Sequence, residues 1–111
     1  MLSPAYTTKF PAEPFEPQNA FRGRPRFDAD GCIGCGACAQ VCPAKCITVE
    51  SAENEKGEKY PEVYTIDMLR CIFCGYCVEA CPVEAIEMTG AYELANYERE
   101  DFEFTKQRLL K

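Results

Sequence analysis

Two stretches of this chain concentrate its chemistry: CIGCGACAQVCP at residues 32–43 and CIFCGYCVEACP at residues 71–82. Each reads C-x-x-C-x-x-C-x-x-x-C-P, a spacing suited to iron–sulfur ligation. Cysteines three residues apart in a tight, glycine-containing loop can aim several thiolates at one small cube of iron and sulfur. The fourth cysteine lies about one helical turn further on, so its side chain points away from its neighbours' cube and toward that of the other motif. The proline that follows has no N–H and ends the turn. The pattern predicts two [4Fe–4S] clusters. One takes Cys32, Cys35, Cys38 and Cys81; the other takes Cys71, Cys74, Cys77 and Cys42. Because the ligands cross, both loops must belong to one small domain.

Two other chemistries use cysteines at high density. A secreted disulfide scaffold would also explain nine cysteines in 111 residues, but four packed into eleven positions, twice, are poorly placed to bridge one another. Zinc ribbons use C-x-x-C pairs as two knuckles of two; here the thiols come in fours, and the chain has no histidine. The same lack removes histidine acid–base catalysis and Rieske-type ligation. No phosphate-cradling glycine motif is present.

The length allows one domain with arms. MLSPAYTTKF lacks the basic start and apolar run of a secretory signal, and no apolar run approaches the roughly 20 residues of a membrane helix. A reducing, cytoplasmic setting is therefore expected. The formal net charge of −6 argues against a general nucleic-acid role. Between residues 32 and 90 there are nine Asp and Glu against four Lys and Arg. That acidity is either a solvated surface or a means of orienting partners.

An offset of 39 residues superposes the motifs and extends beyond them, aligning Asp28 with Asp67, Ile33 with Ile72, Gly36 with Gly75 and Ile47 with Ile86. Each copy reads as a short strand, a cluster loop, a short helix and a second strand (47–50 and 86–88). The expected fold class is α+β, a bacterial two-[4Fe–4S] ferredoxin-like, pseudo-two-fold (βαβ)2 domain with extended N- and C-terminal arms. The divisions are an arm over 1–26, the cluster domain over 27–90 and a tail over 91–111. Gly34, Gly36 and Gly75 should bring the backbone close to sulfur. Ile33, Ile72, Ile47, Ile86, Val41 and Val83 should line the clusters, with Phe73 and Tyr76 as packing. Cys46 aligns with Ala85 and so has no ligand role by symmetry; it reads as a small buried residue, a reserve ligand or a redox-sensitive thiol.

The flanks carry further signals. Pro4, Pro11, Pro14 and Pro17 alternate with Phe10, Phe15 and Phe21, which predicts an extended arm suited to lying along another protein. Arg22, Arg24 and Arg26 share one face if their segment is extended, as a solvated face, a salt-bridging anchor or a phosphate site. Residues 51–62 read as an exposed insert with a turn near Lys56–Gly57. The tail holds Tyr92, Leu94, Tyr97, Phe102, Phe104, Leu109 and Leu110, too apolar for a free end. It should pack on the domain or contact another subunit.

With these motifs placed, the chain resembles the small two-cluster subunit of complex I and of the related membrane-bound [NiFe] hydrogenases of the energy-converting and formate hydrogenlyase types. FRGRPRF, CPAKCI, IDMLRCIFCGYCVEACP and YELANYEREDF carry the resemblance over roughly residues 15–111. Only FDADG separates RGRPR from Cys32, which looks closer to the hydrogenase branch. The resemblance implies an electron relay, without catalytic residues of its own, on the cytoplasmic side of a membrane complex. Its partners would be the hydrogenase small and large subunits or their complex I equivalents, contacted by both arms. A free ferredoxin-type carrier and an iron–sulfur sensor are the rival readings.

Overall fold

The computed structural model describes residues 3–110. Strand β1 (Pro25–Phe27) leads into the first cysteine loop, helix α1 (Ala37–Val41) and strand β2 (Ile47–Glu53). Strand β3 (Lys59–Asp67) leads into the second loop, helix α2 (Tyr76–Glu79) and strand β4 (Ile86–Met88). A single turn of 3-10 helix (Arg99–Phe102), strand β5 (Glu103–Thr105) and helix α3 (Lys106–Leu109) follow. The result is a small α+β fold.

The strands pair across the repeats. β1 runs antiparallel to β4 with Phe27 opposite Ile86, and β2 runs antiparallel to β3 with Ile47 opposite Ile66. The offset of 39 carries Phe27 to Ile66 and Ile47 to Ile86, so one pairing is the image of the other. Each copy's leading strand thus binds the other copy's trailing strand, and neither copy can complete its sheet alone. The β2–β3 hairpin reaches further than the sequence suggested. Residues 51–53 and 59–62, expected as exposed connection, are strand, and only 54–58 form the turn. The Asn54 carboxamide accepts the N–H groups of Lys56 and Glu58, and Gly57 takes a φ of 78° there.

The core is thin but continuous. Phe27, Tyr64, Ile66, Met68, Ile86, Phe104 and Leu109 are buried together. The Phe27 and Tyr64 rings stack with centroids 3.8 Å apart and planes 7° from parallel. Phe104 and Leu109 come from the tail: β5 adds to the outer edge of β3, with Phe104 opposite Ile66. Of the two expectations for the tail, packing on the domain holds for Phe104 and Leu109, whose side chains are buried in this domain's own core. The stretch between stays outside, with Tyr97 fully exposed.

The arginine-rich segment also behaves differently from a shared face. Gly23 donates its N–H to the Thr89 carbonyl and Arg24 to that of Ala91, so this segment zips onto the chain after β4. A Cβ on Gly23 would strike both carbonyls, which explains a glycine between the arginines. The side chains then part. Arg22 reaches the second loop, Arg24 lies over the Phe104 ring and Arg26 pairs with Glu87. Ahead of them, the arm runs out to give the molecule extents of 70 × 29 × 24 Å. Its Phe10 and Phe15 rings meet Tyr92 edge-on, and the Phe15 N–H donates to the Tyr92 hydroxyl.

Phe27 touches both halves of the fold, so Phe27→Ala should cost about 3–5 kcal/mol by opening a cavity against Tyr64. A thermal melt of the cluster-loaded chain with an unchanged midpoint would contradict this.

Candidate metal centres

Two short loops display eight of the nine thiols. In each, the backbone turns left-handed so that N–H groups face sulfur. Gly34 (φ 62°) donates to Cys32 Sγ at 3.4 Å, and Phe73 (φ 53°), at the equivalent place, donates to Cys71 Sγ at 3.5 Å. A bulky residue in this conformation is uncommon, and Phe73 is held by packing its ring against the core. Gly36 and Gly75, at φ 73° and 85°, start α1 and α2. The helices end just before Cys42-Pro43 and Cys81-Pro82, and here the chain again offers donors. Ala85 gives its N–H to Cys81 Sγ at 3.2 Å, while the N–H groups of Cys46, Ala44 and Lys45 surround Cys42.

The thiols fall into two neighbourhoods. Cys81 lies close enough to Cys32 and Cys38 for their charges to repel, as do Cys35 and Cys38. Cys42 stands in the same relation to Cys71, beside Cys74. An apolar cavity is lined by Cys42, Cys71, Cys74 and Cys77, closed by Ile47, Ile66, Phe73 and Met88. Cys38 and Cys77 sense one another where α1 packs on α2. Among the described residues, no three His, Cys, Asp or Glu side chains converge tightly enough to hold a single metal ion. Thiols gathered in two sets, with N–H donors turned toward sulfur, suit iron–sulfur ligation.

Burial raises the thiol pKa of Cys32, Cys38 and Cys71 above the ordinary range, and pushes Cys77 up to about 11. Desolvation penalises the thiolate, and like charges nearby add to the penalty. Cys42 is the exception. Burial also opposes its charge, but the hydrogen bonds from Cys46, Ala44 and Lys45 prevail and lower it. The thiolates of Cys32, Cys38, Cys71 and Cys77 are therefore costly unless a cationic core neutralises them.

Two further residues belong to these surroundings. The Tyr64 hydroxyl donates to Cys38 Sγ at 3.6 Å, and burial followed by the neighbouring Cys38 charge raises its own pKa, so it remains a donor. Nothing in the sequence distinguished Tyr64 from an ordinary strand tyrosine. Cys46 is buried with its sulfur 3.5 Å from Cys42 Sγ. Its thiol also acts on that of Cys71, so it belongs to the second loop's surroundings. Only two of the six residues expected as dry lining are buried. Ile47 and Ile86 are buried, but Ile33, Ile72, Val41 and Val83 are exposed, as is Tyr76.

A family model described as a 4Fe-4S dicluster domain matches residues 31–85. The chain is 54% identical over 99% of its length to NADH-quinone oxidoreductase subunit I 2 of Geobacter metallireducens, covering 87% of that protein. It is 55% identical to subunit I 1 of Geobacter sulfurreducens, covering 86% of it. The subunit I of Pectobacterium atrosepticum is 43% identical, with 61% of its length covered. Among solved structures, an archaeal respiratory membrane complex, the membrane-bound sulfane sulfur reductase, contains a chain with TM-score 0.68 and 30% identity; the match covers 94% of this chain and 56% of that one.

Removing all iron and sulfide should leave the chain without a cooperative melt, since the buried thiols lose their counter-charge and the core is small. A native-like circular dichroism spectrum and sharp transition after complete removal would contradict this. Tyr64→Phe should lower the potential of the cluster beside Cys38 by on the order of 40 mV, the equivalent of one hydrogen bond of about 1 kcal/mol in a one-electron couple. The sign follows because a donor stabilises the more negative, reduced sulfur. A redox titration followed by electron paramagnetic resonance measures it.

Proposed function

This chain belongs to the NADH-quinone oxidoreductase subunit I family of 4Fe-4S dicluster proteins, and on that premise we propose how it moves electrons. Its cofactors are two [4Fe–4S] clusters, and it is an electron-transfer subunit of a multisubunit oxidoreductase rather than an enzyme in its own right. One cluster is held by Cys32, Cys35, Cys38 and Cys81, the other by Cys71, Cys74, Cys77 and Cys42. The observation that carries this assignment is the neighbourhood of the fourth cysteines: Cys81 beside Cys32 and Cys38, Cys42 beside Cys71. The fold is then a pseudo-two-fold (βαβ)2 unit, as the doubled pairing of Phe27–Ile86 and Ile47–Ile66 suggests.

When bound, the clusters supply one-electron chemistry at sulfur-ligated iron. The polypeptide holds them close through the α1–α2 contact. It keeps water from their inner faces with Ile47, Ile66 and Ile86, and sets their potentials by N–H···S bonds and burial. It enters no bond-making step. The exposed arm, with Tyr6 and the Phe10–Phe15–Tyr92 group, and the outer stretch around Tyr97 are the surfaces offered to neighbouring subunits. No helix among the described residues is long and apolar enough to cross a membrane. We place the chain as a peripheral subunit on the cytoplasmic face of a respiratory membrane complex.

Which complex is weighed by two observations. Identity of 54–55% with two short subunit I proteins favours delivery of electrons toward a quinone. The short FDADG link before Cys32 favours the hydrogenase-type assembly as a second reading. In complex purified from native membranes, reoxidation of the reduced clusters by quinone supports the first and evolution of H2 the second. The chain absent from any such complex sinks both. Cys42→Ala should damage the cluster of the second loop and spare that of the first; loss of the first cluster's resonance signal instead would overturn the crossed assignment.

A further inference from the structure

Because the two loops are copies, most of what surrounds one cluster surrounds the other, and what differs at equivalent positions decides which is reduced first. Most N–H donors cancel in this comparison: Gly34 answers Phe73, Ala39 answers Val78, and Cys46 answers Ala85, while Ala44 and Lys45 add two more donors at Cys42 on the second side. The charged groups do not cancel.

The second loop gathers cations. The Arg22 guanidinium donates to the Cys74 carbonyl at 2.8 Å, and its aliphatic stem lies against Gly75. Arg70 stands where the first copy has Gly31, and donates at 3.3 Å to the carbonyl of Ala44, which lines the cavity with Cys42, Cys71, Cys74 and Cys77. Lys45 follows Cys42 by three residues; its counterpart, three residues after Cys81, is Glu84. The pair shares the same left-handed backbone, at φ 47° and 52°, so the two opposite charges leave the chain from equivalent points. Asp30 precedes Cys32 where the second copy has Leu69. The extra thiol of Cys46, 3.5 Å from Cys42 Sγ, also falls on the second side, where Ala85 gives the first side none. Against this stand one neutral hydrogen bond, Tyr64 to Cys38 at 3.6 Å, and Lys59 and Lys106, which line a cavity with Cys32 together with Asp30 and Glu58. Glu79 replaces Gln40 and lies between Cys77 and Cys81, so it bears on both clusters.

We propose that the relay is polarised: the cluster of the second loop has the higher reduction potential, and Arg22 and Arg70 are the positioning residues that set the difference. This deepens the relay reading and rests on it. Adding an electron makes a cluster more negative, so nearby cations favour the step and nearby carboxylates oppose it. With both clusters bound, Arg22 and Arg70 would hold a single electron at the second loop in preference to the first; the exchange would balance as one electron lost at one site and gained at the other, with no bond or proton changed. The exposed charges are screened, yet three cations at the second site, set against two lysines and three carboxylates at the first, should favour the second site by about tenfold.

The test is a redox titration of the full chain, prepared anaerobically with both clusters and followed by electron paramagnetic resonance. Wild type should show two separate one-electron steps. Arg22→Gln and Arg70→Gln should each move the upper step down and leave the lower one in place, Glu84→Gln should move the lower step up, and Arg22→Lys, which keeps the charge, should restore the upper step. Coincident steps in wild type, an Arg22→Gln effect on the lower step, or no movement of either would overturn the proposal. If Arg22→Gln loses a cluster, Lys45→Gln at an exposed position carries the same expectation and the same refutation. Failure of the relay reading itself looks different, as iron and acid-labile sulfide well below about eight of each per chain.

Discussion

Thiolates are hard to hold in a small protein. They repel one another, they lose hydration on burial, and this core is too thin to absorb the penalty from packing alone. A loop that turns its N–H groups inward and aims its sulfurs at a shared cationic core relieves both difficulties, and the rest of the fold follows from placing two such loops back to back. The left-handed residues Gly34 and Phe73, the short helices that stop before Pro43 and Pro82, and the donors after Cys42 and Cys81 are all devices of that kind.

Exchange between the copies makes the domain cooperative. Strand β1 completes its pairing only with β4, and β2 only with β3, while the fourth cysteine of each motif sits among the thiols of the other. Loss of either loop therefore exposes apolar surface and unpaired backbone in both halves. The tail reinforces this arrangement from outside: Phe104 and Leu109 cap the β3 edge, and Lys106 ties to the Pro61 carbonyl. What remains uncommitted is the aromatic arm and the stretch around Tyr97, together with the outward faces of Ile33, Ile72 and Tyr76. On the function proposed above, those are the surfaces offered to neighbouring subunits.

Duplication also gives a way to read electrostatics. Features common to both copies set the general character of the centres, a low-dielectric, N–H-rich setting. Features present once, such as Arg70 against Gly31 or Lys45 against Glu84, are where one centre can be made unlike the other. Arg22 comes from outside the repeat, and it reaches the second loop only because Gly23 lets the preceding segment zip against the strand-end carbonyls of Thr89 and Ala91.

The cysteine spacing alone determined the kind of chemistry, and the 39-residue offset determined that two equivalent units would share it. Both survive any tertiary detail, because a turn of backbone fixes where consecutive thiols can point. The hairpin turn near Gly57 and the strands at 47–50 and 86–88 were readable for the same local reason. Tertiary structure decided what depends on distant partners. It set the fate of the tail, whose irregular apolar spacing has meaning only against the β3 edge. It sent Arg22, Arg24 and Arg26, one face on paper, to three different places. It placed Tyr64 beside Cys38 and Cys46 beside Cys42. Local periodicity records how a residue leaves its own backbone, and only the packed chain records what it meets.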